Sequence, residues 1–291
     1  MNAAFSEGPP RPEKVTVQTI RSRKGGDKLT MLTAYDYPVA KLLDDAGLDI
    51  ILVGDSLGMV VLGEEGTTGV TLADMIRHGK AARRGVSRAL LVVDLPYESI
   101  HGAGADIVGS SRHLLTETRA DAVKLEWADG IETRVPALVA VGIAVMGHVG
   151  LTPQTVEQEG GFGIRGKDAA SAKRIFDQAL ALERAGCFAL VLECIPDELA
   201  AAITARLRIP TIGIGSGVRC DGQVLVTYDI LGLFERFRPR FVKRYANLAD
   251  TIRQAAGAFA GEVRAGSFPA KEHTVSMAPD ALETFRKRLE T

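Results

Sequence analysis

Short apolar runs alternate with longer amphipathic stretches along most of this chain. Several of the runs are rich in β-branched residues. The runs are apolar at consecutive positions, a pattern typical of parallel strands that are buried on both faces. The pattern predicts eight strands, at residues 29–33, 50–53, 89–93, 122–125, 143–147, 189–192, 210–214 and 241–243.

The stretches between these runs have the periodicity of amphipathic helices, and residues at their ends fit helix caps. Asp36 can cap the first of them, with Pro38 just inside its start and Gly47 just past its end. Thr71, followed three residues later by Asp74, resembles a capping box. These signals predict helices at residues 38–46, 72–85, 106–119, 131–141, 168–185 and 196–205, and a polar helix at 280–290.

Strands that alternate with helices predict a parallel sheet, and eight such units in about 230 residues match the size of a (β/α)8 TIM barrel. An open doubly wound sheet is the alternative that the pattern leaves open. We expect residues 1–13 to form a disordered N-terminal arm. Residues 14–267 would form the catalytic barrel, with an extra N-terminal helix. Residues 268–291 would form a C-terminal tail that packs on the barrel or on a neighbouring subunit.

The balance of charge excludes some classes of partner. The 35 basic and 36 acidic side chains leave a formal net charge of −1, which argues against a nucleic-acid-binding face. The three cysteines have no Cys-x-x-Cys spacing, which argues against a disulfide framework or structural zinc. No apolar stretch approaches the roughly 20 residues of a membrane span, and the N-terminus lacks a hydrophobic signal core. We therefore expect a soluble, cytoplasmic protein that binds no membrane.

Polar residues stand at the carboxyl ends of five successive predicted strands, and in a TIM barrel these ends assemble the active site. Each residue alone has an ordinary explanation, such as a turn, a helix cap or a snorkelling lysine. Together they would bring several ionisable groups to one rim, where buried charges are costly unless they are paired or bind a metal. The residues are Asp55, Ser56, Asp94, Lys124, Glu126, His148 and Glu193.

The composition of this cluster indicates a hard cation. Carboxylates without clustered His or Cys ligands favour Mg²⁺ over Mn²⁺ or Ca²⁺. Asp55 and Asp94 would supply two charges, and Glu126 would bind the ion directly or through a water molecule. The remaining coordination positions would then be open to water and to a chelating substrate.

Two glycine-rich segments lie near the predicted strand ends. Segment 213–217 could cradle a phosphate, although its spacing favours a tight backbone wall beside a substrate. Segment 160–163 belongs to a long connection that is either a mobile active-site loop or an ordinary surface loop. The arginine clusters at 83–84 and 236–240 are interpreted as solvated helix ends.

An ordered set of motifs resembles the ketopantoate hydroxymethyltransferase family over roughly residues 15–270. Each motif is weak alone, but their order along the chain is highly specific. They are Val-Gly-Asp-Ser-Leu-Gly-Met-Val at 53–60, Val-Asp-Leu-Pro at 93–96, Val-Lys-Leu-Glu at 123–126, Gly-His-Val-Gly-Leu-Thr-Pro-Gln at 147–154, Leu-Glu-Cys-Ile-Pro at 192–196, Ile-Gly-Ile-Gly at 212–215, Asp-Gly-Gln-Val-Leu-Val at 221–226 and Phe-Val-Lys-Arg-Tyr-Ala at 241–246.

The resemblance implies a barrel of the phosphoenolpyruvate mutase and isocitrate lyase group. It implies transfer of a one-carbon unit from 5,10-methylenetetrahydrofolate to 3-methyl-2-oxobutanoate through a Mg²⁺-stabilised enolate. The product would be 2-dehydropantoate, on the route to pantothenate and coenzyme A. It also implies a homo-oligomer, a decamer in this family. No aromatic-rich segment marks where the folate would bind, since aromatic residues make up only 5% of the chain.

The family's functional residues match individual positions of this chain. By this resemblance Asp55 and Asp94 are the Mg²⁺ ligands, and Glu126 completes the metal site. Glu193 matches the proton acceptor that would remove the hydrogen from C3 of the oxo acid. The positions that match contacts to the oxo acid are Asp55, Ser56, Asp94, Lys124 and His148.

Two other functions compete with this interpretation. The nearer is a Mg²⁺-dependent enolate lyase or phosphonomutase of the same barrel group. The cysteine-bearing loop of such lyases is not found here, and Cys220 stands in a different context, Arg-Cys-Asp-Gly. The second is a non-catalytic metal- or ligand-binding barrel, against which Lys124 and Glu193 argue because they match reactive positions around the metal site.

Overall fold

The computed structural model describes residues 13–101, 105–158 and 160–290, and within them eight parallel strands close into a barrel in sequence order, with β8 paired to β1. The predicted (β/α)8 TIM barrel is thereby confirmed, and the open sheet is excluded. The strands are β1 Leu29–Thr33, β2 Ile50–Val53, β3 Leu90–Asp94, β4 Ala122–Glu126, β5 Val145–Gly150, β6 Ala189–Glu193, β7 Thr211–Ile214 and β8 Gly222–Leu225.

The eighth strand corrects the prediction at residues 241–243, which lie in irregular chain. β8 instead begins at Gly222, which pairs with Leu29 of β1 and Ile212 of β7. A side chain at Gly222 would have its Cβ 2.6 Å from the Leu29 carbonyl oxygen, so the close approach of the two strands requires glycine. Because β8 contains this glycine and the exposed Gln223, it lacks the continuous apolar run that marks the other strands.

Each predicted helix is present, and the caps confirm the local signals; α4, α9 and the 18-residue α10 were not predicted. The Asp36 carboxylate accepts a hydrogen bond from the Val39 amide at 2.8 Å, and Thr71 and Asp74 form the expected capping box. The helices are α1 Val17–Ser22, α2 Tyr37–Asp45, α3 Leu72–Gly85, α4 Tyr97–His101, α5 Ile107–Thr118, α6 Ile131–Ala140, α7 Ala169–Ala185, α8 Asp197–Arg206, α9 Thr227–Ile230, α10 Leu248–Ala265 and α11 Pro279–Leu289.

The apolar core forms two layers, one inside the barrel and one between the strands and the surrounding helices. The inner layer holds side chains such as Leu90, Met146 and Ile212, all of which are buried. The expected extra N-terminal helix is α1, and its Ile20 side chain joins this inner layer, as does Val15 just before it. The amino-terminal end of the barrel is therefore filled by apolar side chains, which leaves the carboxyl end for polar groups.

Contacts along the backbone divide the chain into two compact units. The first is the barrel, which runs to residue 230 and includes residues 234–243. The second consists of residues 231–233 and the chain from Arg244 onward, including α10 and α11. Within this second unit the Phe268 ring packs edge-on against Phe259, with centroids 5.6 Å apart. The predicted boundary between residues 267 and 268 falls inside this unit, and the predicted arm at 1–13 lies outside the described residues except for residue 13.

The cysteines, the absence of a membrane span and the arginine clusters were also subjects of prediction. All three cysteines are free and buried, as expected for a chain without a disulfide framework. None of the helices in the described ranges is long and apolar enough to cross a membrane. The arginine cluster at 83–84 does end a helix, α3, but residues 236–240 are irregular, so their interpretation as a helix end was wrong.

Candidate active site

The carboxyl ends of the strands surround one pocket that is lined by every residue singled out from the sequence. The parallel register explains the convergence, since it sets Asp94 beside Lys124, Glu126 beside His148, and Gly150 beside Glu193. Side chains on neighbouring strands at the same height therefore meet above the apolar inner layer. The polar residues that line the pocket are Thr33 and the seven residues predicted from the sequence, Asp55, Ser56, Asp94, Lys124, Glu126, His148 and Glu193.

A buried ion pair joins β3 and β4 on one side of the pocket. The Lys124 ammonium lies 2.8 Å from Asp94 Oδ1, and both side chains are less than a tenth exposed. Burial acts to lower the pKa of Lys124, but the carboxylates of Asp94, Glu126 and Asp55 outweigh burial and raise it. Lys124 is therefore a fixed positive charge at neutral pH.

Asp55 and Asp94 form an adjoining pair of buried carboxylates. The backbone amide of Asp55 donates to Asp94 Oδ2 at 3.1 Å, which places the two residues next to each other. Burial raises the pKa of Asp55 well above its ordinary value, and the negative charges of Asp94 and Glu126 raise it further. Burial likewise raises the pKa of Asp94, although Lys124 partly offsets this. The raised pKa values of Asp55 and Asp94 indicate that the surrounding protein groups do not fully neutralise the negative charge of these two carboxylates.

His148 lies between two carboxylates on the other side of the pocket. Its Nδ1 is 3.4 Å from Glu126 Oε1, and its Nε2 is 3.2 Å from Glu193 Oε2. Burial acts to lower the pKa of His148, but its contacts with the two carboxylates dominate and raise it to about 9. The imidazole is therefore positively charged at neutral pH. It holds the Glu193 carboxylate, which is the more exposed of the two groups, toward the pocket.

Gln154 is a site residue that the sequence reasoning named only as part of a motif. Its Nε2 donates to Asp55 Oδ2 at 2.8 Å and to the Leu95 carbonyl at 2.9 Å. Its backbone amide donates to Glu126 Oε2 at 2.9 Å. A single residue thus fixes two of the carboxylates, from the short turn Pro153–Thr155 that follows β5. The Thr-Pro-Gln sequence directly after a strand end was the available signal for such a turn.

Tyr35 was also missed, because it follows β1, whose end carries no charged residue. Its hydroxyl lies 2.9 Å from Ser56 Oγ, and the whole side chain is buried. Burial raises the pKa of Tyr35, so the phenol stays protonated. The contact orients the Ser56 hydroxyl, which lines the pocket.

The chain around Glu193 is held in an unusual backbone conformation. Cys194, the next residue, has a positive φ of 48°, and its amide donates to the Ile214 carbonyl at 2.8 Å. Ser216 Oγ donates to the Leu192 carbonyl at 2.7 Å, which ties the glycine-rich segment 213–217 to β6. Hydrogen bonds to the end of β7 therefore fix the carboxyl end of β6 and with it the position of Glu193. Unusual backbone conformations of this kind are common at functional sites.

The charges of the pocket fit a divalent cation. Four carboxyl groups face two cationic side chains, Lys124 and His148, so a divalent cation would supply positive charge that the protein lacks and would favour the ionised forms of Asp55 and Asp94. Among the described residues, no three His, Cys, Asp or Glu side chains are arranged as a ready metal site. Asp55 and Asp94 adjoin each other, whereas the Glu126 oxygens contact His148 and Gln154. The three-carboxylate metal site thus stays a prediction, with the Asp55 and Asp94 pair as its best-placed part.

The fold and the pocket together define a class of protein. A (β/α)8 barrel that gathers a buried lysine, paired carboxylates and a carboxylate in contact with a cationic histidine at the carboxyl ends of its strands is typical of an enzyme. Comparison with known families makes this specific. A family model described as ketopantoate hydroxymethyltransferase matches residues 14–271, and the chain belongs to this family.

Curated relatives agree over nearly the full chain. A protein of Nitratidesulfovibrio vulgaris (strain DP4) named 3-methyl-2-oxobutanoate hydroxymethyltransferase is 51% identical over 276 residues, which is 95% of this chain and 90% of that protein. A protein of the same name from Carboxydothermus hydrogenoformans is 48% identical and covers 93% of this chain and 99% of its own. A protein of the same name from Moorella thermoacetica is 52% identical, over 90% of this chain and 97% of that protein.

Solved structures show the wider fold group. A phosphoenolpyruvate phosphomutase from Streptomyces platensis subsp. rosaceus superposes with a TM-score of 0.56 at 12% identity, covering 94% of this chain and 98% of its own. A 2,3-dimethylmalate lyase, described as a member of the PEP mutase/isocitrate lyase superfamily, superposes with a TM-score of 0.55 at 15% identity. The superposition covers 96% of this chain and 95% of the lyase chain. At such low identities the likeness establishes the fold and no more. The shared fold is the (β/α)8 barrel that the strand pattern predicted.

Proposed function

We propose that this chain converts 3-methyl-2-oxobutanoate, 5,10-methylenetetrahydrofolate and water to 2-dehydropantoate and tetrahydrofolate. The observation that carries the proposal is the arrangement of Asp55, Asp94 and Lys124 on one side of the pocket and the His148–Glu193 pair on the other. In the first set, Asp55 and Asp94 suit a Mg²⁺ ion that would bind the carboxylate and oxo oxygens of the acid, and Lys124 adds a positive charge beside them; the second set suits the removal of a proton. The names of the curated relatives support the same acceptor.

The acidic side of the pocket would hold Mg²⁺ through Asp55 and Asp94, with Glu126 completing the site. When bound there, Mg²⁺ supplies Lewis acidity to the 2-oxo group. A fold neighbour, phosphonopyruvate hydrolase, is known as a complex with oxalate and Mg²⁺, at a TM-score of 0.56 and 15% identity. Oxalate, like a 2-oxo acid, presents two oxygens on adjacent carbons, which supports a dicarbonyl ligand beside a cation in such a barrel.

Lys124 and Ser56 would bind the oxo acid directly. Lys124 is a fixed positive charge inside a buried pocket, where electrostatic stabilisation of developing negative charge is strongest. Ser56, oriented by Tyr35, offers a hydroxyl to the same oxygens. The two residues therefore position the acid and favour the electron redistribution that follows loss of the C3 proton.

Glu193 would be the base that removes this proton. The Glu193 side chain is 15% exposed, whereas those of Asp94 and Glu126 are 4% and 2% exposed. His148 contacts one oxygen of the Glu193 carboxylate. After proton removal, C3 forms a bond to the methylene carbon of the donor. The carbon–nitrogen bonds of that carbon break, water supplies the hydroxyl oxygen, and tetrahydrofolate leaves.

The exchange of the C3 hydrogen with deuterium tests this role without the folate. Wild-type enzyme with Mg²⁺ and 3-methyl-2-oxobutanoate in D₂O should exchange the hydrogen, as measured by proton NMR. Glu193→Gln should bind the acid in calorimetry and yet exchange about 10²–10⁴-fold more slowly, because a positioned base contributes that much. Glu198→Gln, an exposed glutamate of α8, is the matched control and should exchange at the wild-type rate. Wild-type exchange in Glu193→Gln would remove Glu193 from the role.

A Mg²⁺-dependent lyase or phosphonomutase is the second candidate, since the fold neighbours belong to that group. The cysteines argue against a lyase with a reactive thiol. Burial raises the pKa of Cys194, the cysteine next to Glu193, to about 12, so it carries no thiolate at neutral pH. The exchange assay also separates a non-catalytic barrel, which would leave the C3 hydrogen in place.

A further inference from the structure

Two loops at the mouth of the barrel bring Phe162 together with Phe234 and Phe237, a pair about 70 positions further along the chain. Phe162 and Phe237 have ring centroids 6.3 Å apart, and Phe237 packs edge-on against Phe234 at 5.6 Å. Phe162 is 57% exposed and Phe237 is 46% exposed. We call Phe162, Phe234 and Phe237 the aromatic patch. Rings that contact each other and still face solvent form a surface suited to a flat apolar ligand.

The loop that carries Phe162 is fastened next to the proposed base. The amide of Arg165 donates to the carbonyl of Cys194 at 2.8 Å, and Cys194 directly follows Glu193. The Arg165 guanidinium reaches back to the Gly161 carbonyl at 2.7 Å, beside Phe162. These two contacts hold the Phe162 side of the patch at the rim of the pocket, beside the carboxyl end of β6.

The segment that carries the other two rings is also fastened to strand ends. The Phe241 ring lies against Gly215, where an added Cβ would be 2.8 Å from a ring carbon. Gly215 follows Ile214, which lines the pocket. On the other side, Arg236 donates to the carbonyls of Glu64 and Gly63 in the loop after β2. Segment 234–243 is therefore attached to the loops that follow β2 and β7, next to residues that line the pocket.

Segment 234–243 also carries a local excess of positive charge. Its exposed cations are accompanied by a single acidic residue, Glu235. Rings beside several cations match a ligand that joins flat rings to carboxylates, a combination that the oxo acid lacks and a folate has. The exposed cations of the segment are Arg236, Arg238, Arg240 and Lys243.

We propose that the aromatic patch binds the rings of the reduced-folate donor, while the cationic segment 234–243 attracts its glutamate carboxylates. This inference rests on the proposed function, since it assigns a place to the second substrate of that reaction. The pocket itself is lined by the groups that suit the oxo acid. A donor that delivers one carbon atom to C3 must therefore keep its ring system at the rim, where the patch lies.

Kinetics of Phe162→Ala and Phe237→Ala test the assignment. Each variant should raise the KM for 5,10-methylenetetrahydrofolate about 5- to 20-fold, the loss expected when an aromatic contact is removed. The KM for 3-methyl-2-oxobutanoate and the folate-independent deuterium exchange should stay at wild-type values. Tetrahydrofolate with three glutamates should bind the wild type more tightly than the monoglutamate in calorimetry, and Arg240→Gln should reduce this difference.

Val141→Ala is the matched control, because it truncates a 43% exposed apolar side chain that precedes β5 at the opposite rim. An unchanged KM for the donor in both phenylalanine variants would overturn the inference while leaving the exchange reaction intact. A change of oligomeric state in light scattering would overturn it too, by showing that the patch binds a second copy of the chain. If the wild type itself exchanges no deuterium, the proposed function fails first.

Discussion

At the scale of single residues, the chemistry of the pocket depends on which of its carboxylates are paired with a cationic side chain of the protein. Lys124 neutralises Asp94, and His148 lies between Glu126 and Glu193. The Asp55 carboxylate accepts a hydrogen bond from the neutral side-chain amide of Gln154, and no cationic side chain among the described residues forms an ion pair with it. The excess negative charge therefore gathers where the oxo acid and a cation are expected, and the cationic histidine orients the base.

The charge on His148 predicts a pH dependence of stability in the metal-free enzyme. Its pKa is about 9 in the folded protein and ordinarily 6.5, so folding binds the proton more tightly. This contribution to stability is fully present below about pH 6.5 and is lost as the pH rises through 9, by a few kcal/mol in all. Calorimetric unfolding in EDTA from pH 6 to 9.5 should show this loss in the wild type.

His148→Gln is the comparison for this pH series. It keeps a polar side chain of similar reach but cannot be charged, so the difference in unfolding free energy between the two proteins should shrink as the pH rises. A difference that stays constant from pH 6 to 9.5 would show that His148 is neutral in the folded protein.

At the scale of elements, the register of parallel strands places the chemistry. Polar residues at the ends of β2 to β6 could be identified in the sequence, because buried parallel strands are continuous apolar runs and a charged residue after one stands out. The hydrogen-bonded register of the parallel strands then places these residues at the same level of the barrel. Gln154 and Tyr35 could not be assigned roles in this way, since a turn and a neutral side chain acquire a role only through their neighbours.

The pairing of β5 with β6 predicts a large effect at Gly150. Its φ is +100°, and an added Cβ would overlap the Glu193 carbonyl oxygen across the ladder. Gly150→Ala should therefore lower the free energy of unfolding by roughly 3 kcal/mol or more and also slow deuterium exchange at C3. Denaturant titration and the exchange assay measure the two effects.

Gly142→Ala is a close control, because Gly142 has a φ of +81° but open space around an added Cβ. It carries only the conformational cost of a left-handed residue, roughly 1–2 kcal/mol, and should leave exchange unchanged. Equal losses in the two variants would mean that β6 moves aside without disturbing Glu193.

At the scale of the whole molecule, the barrel unit is an apolar cylinder whose inner layer supports a charged rim. Binding of a cation at that rim should be measurable as stability of the whole unit. Mg²⁺ at 100 times its Kd should add about 2.7 kcal/mol to the free energy of unfolding, because a ligand that binds only the folded state stabilises it by mass action. Calorimetry in MgCl₂ and in EDTA gives the difference.

Asp94→Asn should remove most of this Mg²⁺-dependent gain and weaken binding of 3-methyl-2-oxobutanoate at the same time. Asp177→Asn, an exposed aspartate of α7, should keep both. Oxo-acid binding that is unaffected by EDTA in the wild type would argue against a shared site for the cation and the acid.

By itself the sequence determined seven of the eight strands, most of the helices and the identity of the charged residues at the carboxyl ends of the strands, and it favoured a barrel over an open sheet. These follow from local rules: strand runs, helix caps and the separation of apolar from polar positions are written in neighbouring residues. The prediction from sequence failed at β8, where Gly222 and Gln223 interrupt the apolar run. Gly222 is required there because β8 approaches the backbone of β1 too closely for a side chain.

Only the tertiary structure decided how the charges are paired and where the aromatic patch lies. Residues 162 and 237 carry no shared signal in the sequence, and the contacts of Gln154 join three different strand ends. Pairing of this kind depends on distances set by the closure of the barrel, and Gln154 lies 28, 59 and 99 positions from its three partners. A pattern within one segment cannot contain that information.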